Sequence, residues 1–158
     1  MLSDQERTEI EHELSQYESK RAAGIDALLI LQKHRGWISN QSLSELADLL
    51  DMSTDELDAV ATFYNHVFRQ PVGRHVILIC DSVSCWMMGY QRLIAQLTEK
   101  LDVKLGETTE DDRFTLLTNP CLGACDRAPC LMIGDDLHAD LDLDQAPEKI
   151  DPILEAYD

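Results

Sequence analysis

Basic residues are scarce in this chain. Against 30 Asp and Glu, its 158 residues offer only 13 Lys and Arg, a formal charge of 13 − 30 = −17. Split after residue 70, the counts are 6 basic and 13 acidic, then 7 and 17, so the deficit runs through both parts. Phosphate backbones need a basic face, and none is visible, so nucleic acid is not an expected partner. Long apolar runs are also missing. The longest, such as Ala27 to Leu31 and Val76 to Cys80, fall far below the roughly 20 residues of a membrane span, so no direct membrane insertion is expected. The first twenty residues lack the basic start and apolar centre of an export signal, which makes a cytoplasmic, reducing compartment the expected location.

Other absences concern chemistry. The seven glycines stand at 24, 36, 73, 89, 106, 123 and 134, and no two are close enough for the G-x-G-x-x-G turn that cradles a pyrophosphate. The five histidines, at 12, 34, 66, 75 and 138, form no pair at helical metal-binding spacing and are expected to be surface or core residues. No Ser/His/Asp arrangement stands out, so no catalytic residue is expected. No two cysteines are separated by two residues, which removes a thioredoxin-type dithiol. Five cysteines, an odd number in a reducing compartment, do not read as a disulfide framework. They have to be ligands, nucleophiles or core.

What is present is a helical front. Ser3 with Glu6, Ser42 with Glu45 and Ser53 with Glu56 each have the Ser-x-x-Glu spacing of a capping box. Behind them apolar residues recur at helical intervals: Ile10, Leu14, Tyr17; Leu43, Leu46, Ala47, Leu50; Leu57, Val60, Ala61, Tyr64. The more uniformly apolar stretch from Arg21 to Arg35 predicts the central helix of a small bundle, with Gly36 as its stop. The pattern changes at Pro71 and Gly73. Val76 to Ile79 predicts a strand buried on both faces. Tyr90, Leu93, Ile94, Leu97 and Leu101 form one helical stripe, and Phe114 to Leu117 predicts a second strand. Leu131 to Ile133 is a third, Gly134-Asp135-Asp136 turns into a fourth around Leu137 to Ala139, and a last helix starts near Pro147. The fold class is therefore α/β with a mixed sheet: a helical domain over residues 1–70 and an α/β domain over 71–158.

The cysteines carry the chemistry. Cys80 and Cys85 enclose four residues, Cys121 and Cys125 enclose three, and 35 residues separate the pairs. Each pair follows an expected strand, and loops beyond the carboxyl ends of neighbouring strands converge. Four thiolates can hold either a tetrahedral zinc or an iron-sulfur cluster. The spacing disfavours zinc mildly, and the small residues and Gly123 in the two loops favour a 2Fe-2S cluster, leaving both readings open. Cys130, opening the apolar run Leu131-Met132-Ile133, is expected to be a buried core residue. Trp86, Met87 and Met88 directly follow Cys85, and are expected either to shield a cluster from water or to be ordinary core at a helix start.

The motifs occur in an order that carries a resemblance. Ala61-Thr-Phe-Tyr64, Pro71-Val-Gly-Arg-His75, Cys80-x4-Cys85, Phe114-Thr-Leu, and Cys121-Leu-Gly-Ala-Cys125-Asp-x-Ala-Pro129 resemble the thioredoxin-like 2Fe-2S ferredoxin subunits of bacterial NADH:quinone oxidoreductase, respiratory complex I. The resemblance spans nearly the whole chain. It implies a thioredoxin-like 2Fe-2S ferredoxin domain with an N-terminal helical extension, and one 2Fe-2S cluster held by Cys80, Cys85, Cys121 and Cys125. It implies a flavoprotein partner that carries FMN and oxidises NADH, together with other peripheral-arm subunits, on the cytoplasmic side of the inner membrane. The chain would be an oxidoreductase subunit with no independent catalytic activity. Related subunits serve NAD-linked formate dehydrogenases and hydrogenases, so the resemblance leaves the host enzyme open. Cys130 and the acidic stretch Asp135 to Asp144 depart from the family pattern; the latter is expected to be a solvated face.

Overall fold

The computed structural model describes residues 1–141, 144 and 146–157, the side chains of 146–148 apart. The chain divides into two compact units, Met1–Pro71 and Val72–Asp158. The first contains four helices: α1 (Asp4–Leu14), α2 (Gly24–Arg35), α3 (Asn40–Leu50) and α4 (Thr54–Phe63), with a 3-10 turn at Lys20–Ala23 before α2. Ser3 with Glu6 and Ser53 with Glu56 close complete capping boxes at the starts of α1 and α4. Ser42 with Glu45 does not. The cap of α3 is Ser39, whose side chain accepts from the Ser42 N–H. Ser42 is buried inside the helix, and Glu45 pairs instead with Arg35 and the terminal amine.

Helix α2 ends at Gly36, whose φ of +80° suits glycine. It begins at Gly24 rather than Arg21, because the preceding turn winds as 3-10. Tyr17, expected on the stripe of the first helix, lies beyond the end of α1 and donates its hydroxyl to Asp26 at 2.6 Å. The apolar stripes meet in one core of Ile10, Leu28, Leu31, Leu43, Leu46, Leu50 and Leu57 with their neighbours. The segment after α4 is tied to α2: Gln32 donates to the His66 carbonyl at 2.7 Å and accepts from the Phe68 N–H at 2.6 Å.

The second unit holds a four-stranded mixed sheet with strands β1 (His75–Cys80), β2 (Phe114–Asn119), β3 (Leu131–Ile133) and β4 (Asp136–His138), in the order β2-β1-β3-β4. β1 runs parallel to β2 and antiparallel to β3, and β3 and β4 form a hairpin. The continuous apolar run of β1 follows from its place inside the sheet. Helices α5 (Val83–Met87), α6 (Tyr90–Leu101) and α7 (Ala146–Glu155) complete the unit. The sheet core joins Ile77, Ile79, Phe114, Leu116, Leu131 and Ile133 to Leu93 and Leu97 of α6 and Ile150 and Leu154 of α7. Gly73 enters this unit against the backbone: a Cβ there would sit 2.9 Å from the Asp112 carbonyl oxygen, and its N–H donates to Thr115 Oγ1 at 2.7 Å. Part of the acidic stretch Asp135 to Asp144 lies outside the described residues. No described helix is long and apolar enough to cross a membrane.

Candidate metal centre

Because β1 and β2 are parallel neighbours, their carboxyl ends lie at one end of the sheet. Cys80 is the last residue of β1, Cys85 sits on α5, and Cys121 follows β2 by two residues. Cys125 opens a 3-10 turn at Cys125–Arg127. The Asn119 side-chain amide donates to the Cys121 carbonyl at 2.9 Å, bracing the second loop against the strand that feeds it. Cys121 and Cys125 are exposed, with their Sγ atoms 3.6 Å apart. Cys80 and Cys85 are buried.

Ser82 Oγ lies 3.3 Å from Cys80 Sγ and accepts from its thiol. Burial opposes ionisation of Cys80. The hydroxyl and backbone N–H of Ser82, with the Leu122 N–H, outweigh it and bring that thiol below its usual range. Burial, followed by the adjacent Cys80, pushes Cys85 up; the neighbouring Cys121 does the same to Cys125. Such opposed shifts are what crowded thiols produce when charge has nowhere to go, and a bound cation would relieve them. The Gly123 N–H points at Cys121 Sγ from 3.4 Å. Gly123 has a φ of +79°, the left-handed conformation that turns its amide toward the sulfur at low cost.

These surroundings fit an iron-sulfur cluster. Two pairs of sulfurs can serve two irons; the Gly123 N–H is aimed at sulfur, where the negative charge of a cluster concentrates, and the Ser82 hydroxyl lies beside Cys80 Sγ. Tyr90, Leu122, Ala128 and Ala139 pack around the buried side.

Spacing alone did not reveal the position of Cys130. It is buried, as expected of a core residue, yet its Sγ is 3.9 Å from that of Cys85. The Sγ atoms of Cys80, Cys85 and Cys130 all lie within 4.8 Å of one another. The signal lay in the strand order: β3 pairs antiparallel with β1, and the Cys80 N–H donates to the Cys130 carbonyl at 3.2 Å. Trp86, Met87 and Met88 depart from the expectation of ordinary core at a helix start. They are 59%, 75% and 57% exposed, as is Val83 at 72%. Cys85 faces inward, while these neighbours form an apolar surface beside it.

The histidines stand apart from the thiols. His34 contacts Glu9 at 2.9 Å, and the rings of His75 and His138 pack on Tyr157. Among the described residues, the convergent cluster of potential ligands is made of cysteines.

Comparison with known proteins agrees with this chemistry. The chain is 51% identical over 156 residues to a subunit of the NADH-quinone oxidoreductase of Escherichia coli strain K12, covering 99% of this chain and 92% of that protein. It is 46% identical over 157 residues to the corresponding NADH-quinone oxidoreductase subunit of Pseudomonas aeruginosa, with the same coverage. Among solved structures, the NAD+-reducing NiFe hydrogenase in its H2-reduced state aligns with a TM-score of 0.65 at 28% identity. That alignment covers 81% of this chain and 22% of the hydrogenase chain. Residues 10–158 match the thioredoxin-like 2Fe-2S ferredoxins, which resolves the choice between zinc and iron-sulfur in favour of one 2Fe-2S cluster. On that match and those relatives, the chain belongs to the thioredoxin-like 2Fe-2S ferredoxin family.

Proposed function

We propose that this protein is the electron-carrying subunit of an NADH:quinone oxidoreductase, exchanging single electrons with the FMN of a partner subunit that oxidises NADH. The observation that carries the reading is that two cysteine pairs follow the carboxyl ends of parallel neighbouring strands, β1 and β2, in a chain whose relatives match it end to end. A 2Fe-2S cluster, when bound, supplies one-electron chemistry. Cys80, Cys85, Cys121 and Cys125 would hold it, one pair to each iron. Cys121 and Cys125 lie 3.6 Å apart at the surface and would serve one iron, and Cys80 and Cys85 would serve the other.

The remaining residues set the electrostatics. The Ser82 hydroxyl and the Leu122 and Gly123 N–H groups stabilise negative charge on sulfur, and the apolar neighbours exclude water from the buried side. The exposed face of Val83, Trp86, Met87 and Met88 gives a partner an apolar place to dock close to Cys85. Phe63 and Tyr64, exposed at the end of α4, offer a second contact on the helical domain of residues 1–70. Docking through such contacts would hold the chain in the peripheral arm of the complex, on the cytoplasmic side, without insertion into the bilayer.

NADH surrenders a hydride, two electrons at once, so a flavin has to stand between it and a one-electron carrier. The test is to mix the cluster-loaded chain with excess NADH anaerobically, with and without the flavoprotein subunit. The visible spectrum should stay oxidised in its absence and bleach in its presence. Rapid bleaching by NADH alone, or none with the flavoprotein present, would contradict the proposal.

A further inference from the structure

Cys130 is the cysteine that the proposed ligand set leaves over, and its surroundings are not those of a simple packing residue. Its side chain is fully buried. Its carbonyl is held by the Cys80 N–H at 3.2 Å, which anchors it against the end of β1. Its Sγ lies 3.9 Å from the Cys85 Sγ. The other side chains packed in this cluster are Tyr90, Leu122, Ala124, Ala128 and Ala139, four of them aliphatic. A thiol has one proton to give, and sulfur is the acceptor this geometry offers it.

We propose that Cys130 donates its S–H to the sulfur of Cys85 and so raises the reduction potential of the cluster that Cys85 helps to hold. The proposal rests on the ligand set above. A hydrogen bond to a ligand sulfur stabilises the more negative, reduced state over the oxidised one. The effect is largest where water is excluded, as it is around Cys85 and Cys130. The neutral thiol is also the state this position favours. Ionising Cys130 would place a third negative sulfur within 4.8 Å of two ligand sulfurs, out of reach of solvent. Cys130 is therefore a tuning residue that acts through Cys85.

Three variants of the full-length, cluster-loaded protein separate this role from packing. Cys130→Ser keeps the shape and supplies a hydroxyl donor, Cys130→Ala removes the donor, and Cys130→Val removes it while filling the space. Iron content, the midpoint potential from an EPR-monitored titration, and the Fe–S stretching frequencies in H2O and D2O are measured for each. All three should retain iron. Ala and Val should both reduce the equilibrium constant for electron uptake, by about tenfold, which is a fall of about 59 mV for a one-electron couple. Ser should stay at or above the wild-type potential. The H/D shift of the Fe–S frequencies should be larger in the wild type and Ser than in Ala and Val.

If Cys130→Ala does not load, Val against Ser makes the same comparison. Unchanged potentials and H/D shifts in the donor-free variants would overturn the proposal while leaving the ligand set intact. Loss of iron from all three would overturn both, since Cys130 would then be a ligand.

Discussion

In the helical unit the buried side chains are mostly Leu, Ile and Ala drawn from four helices. At the cysteine end of the second unit they are Cys80, Cys85, Ala124 and Cys130. The first set removes much apolar area from water and needs nothing else to be satisfied. The second consists of small or sulfur-bearing groups from the end of β1, the five-residue α5 and the segments before and after the Cys125 turn, and its thiols Cys80 and Cys85 are shifted in opposite directions. One region stores its stability in packing, and the other leaves its stability to be completed by what it binds.

Removing the cluster should break that comparison most sharply. After chelation of the holo protein, amide exchange in residues 121–130 should accelerate about a hundredfold or more, while amides of α2 and α3 keep their protection. Equal acceleration in both would show that the helical core also depends on the metal. Hydrogen-exchange mass spectrometry reads both regions in one experiment.

A cavity in the helical core should do the reverse. Leu46 is fully buried on α3, so Leu46→Ala should cost about 2 to 5 kcal/mol of unfolding free energy. Iron content and visible absorption of the folded fraction should not change. Denaturant titration followed by far-UV circular dichroism gives the first quantity, and a visible spectrum gives the second.

The two regions were unequally legible in the sequence. The helical stripes were readable because apolar side chains at 3.6-residue intervals meet in a core whatever partner helix they find, as Leu43, Leu46, Ala47 and Leu50 do. Ser42 was misread as a helix start because Ser-x-x-Glu is a local pattern. Glu45 was claimed instead by Arg35 and the terminal amine, distant in sequence. The Cys80-Cys85 and Cys121-Cys125 spacings were legible, since each pair closes within one loop. The approach of Cys130 to Cys85 was not, because the β1–β3 pairing creates it across 45 residues. Trp86, Met87 and Met88 read as shielding or core by composition alone; their exposure depends on which face α5 turns inward, and a five-residue helix has too little periodicity to tell.

A smaller effect should come from the ion pair that ties α1 to α2. Glu6 accepts from Arg35 Nε at 2.7 Å and from Nη2 at 2.9 Å, and the Arg35 guanidinium lowers its pKa to about 2. The contribution is present above the ordinary carboxylate value near 4.5 and is lost as pH falls toward 2, because the folded state then has to take up a proton it binds weakly. Glu6→Gln should cost about 2 kcal/mol at pH 7. The difference between wild type and variant should shrink as urea titrations move from pH 5 to pH 3. A gap that widens in acid would reverse the sign of this account.

The smallest effect on stability belongs to the exposed face beside Cys85. Trp86→Ala should alter unfolding by no more than about 0.5 kcal/mol, as expected of an exposed side chain. It should nonetheless weaken capture of the flavoprotein subunit in a pull-down, with iron content unchanged. Undiminished capture would remove this face from the proposed docking surface.

The central claim, that four of the five cysteines hold one 2Fe-2S cluster, is tested most directly by counting iron and acid-labile sulfide. The wild-type protein and five single Cys→Ser variants would each be purified anaerobically. The account predicts about two irons and two sulfides per chain in the wild type and in Cys130→Ser. Loss or severe depletion should follow replacement of Cys80, Cys85, Cys121 or Cys125. A full complement in Cys125→Ser together with loss in Cys130→Ser, or stoichiometric zinc without sulfide in the wild type, would contradict it.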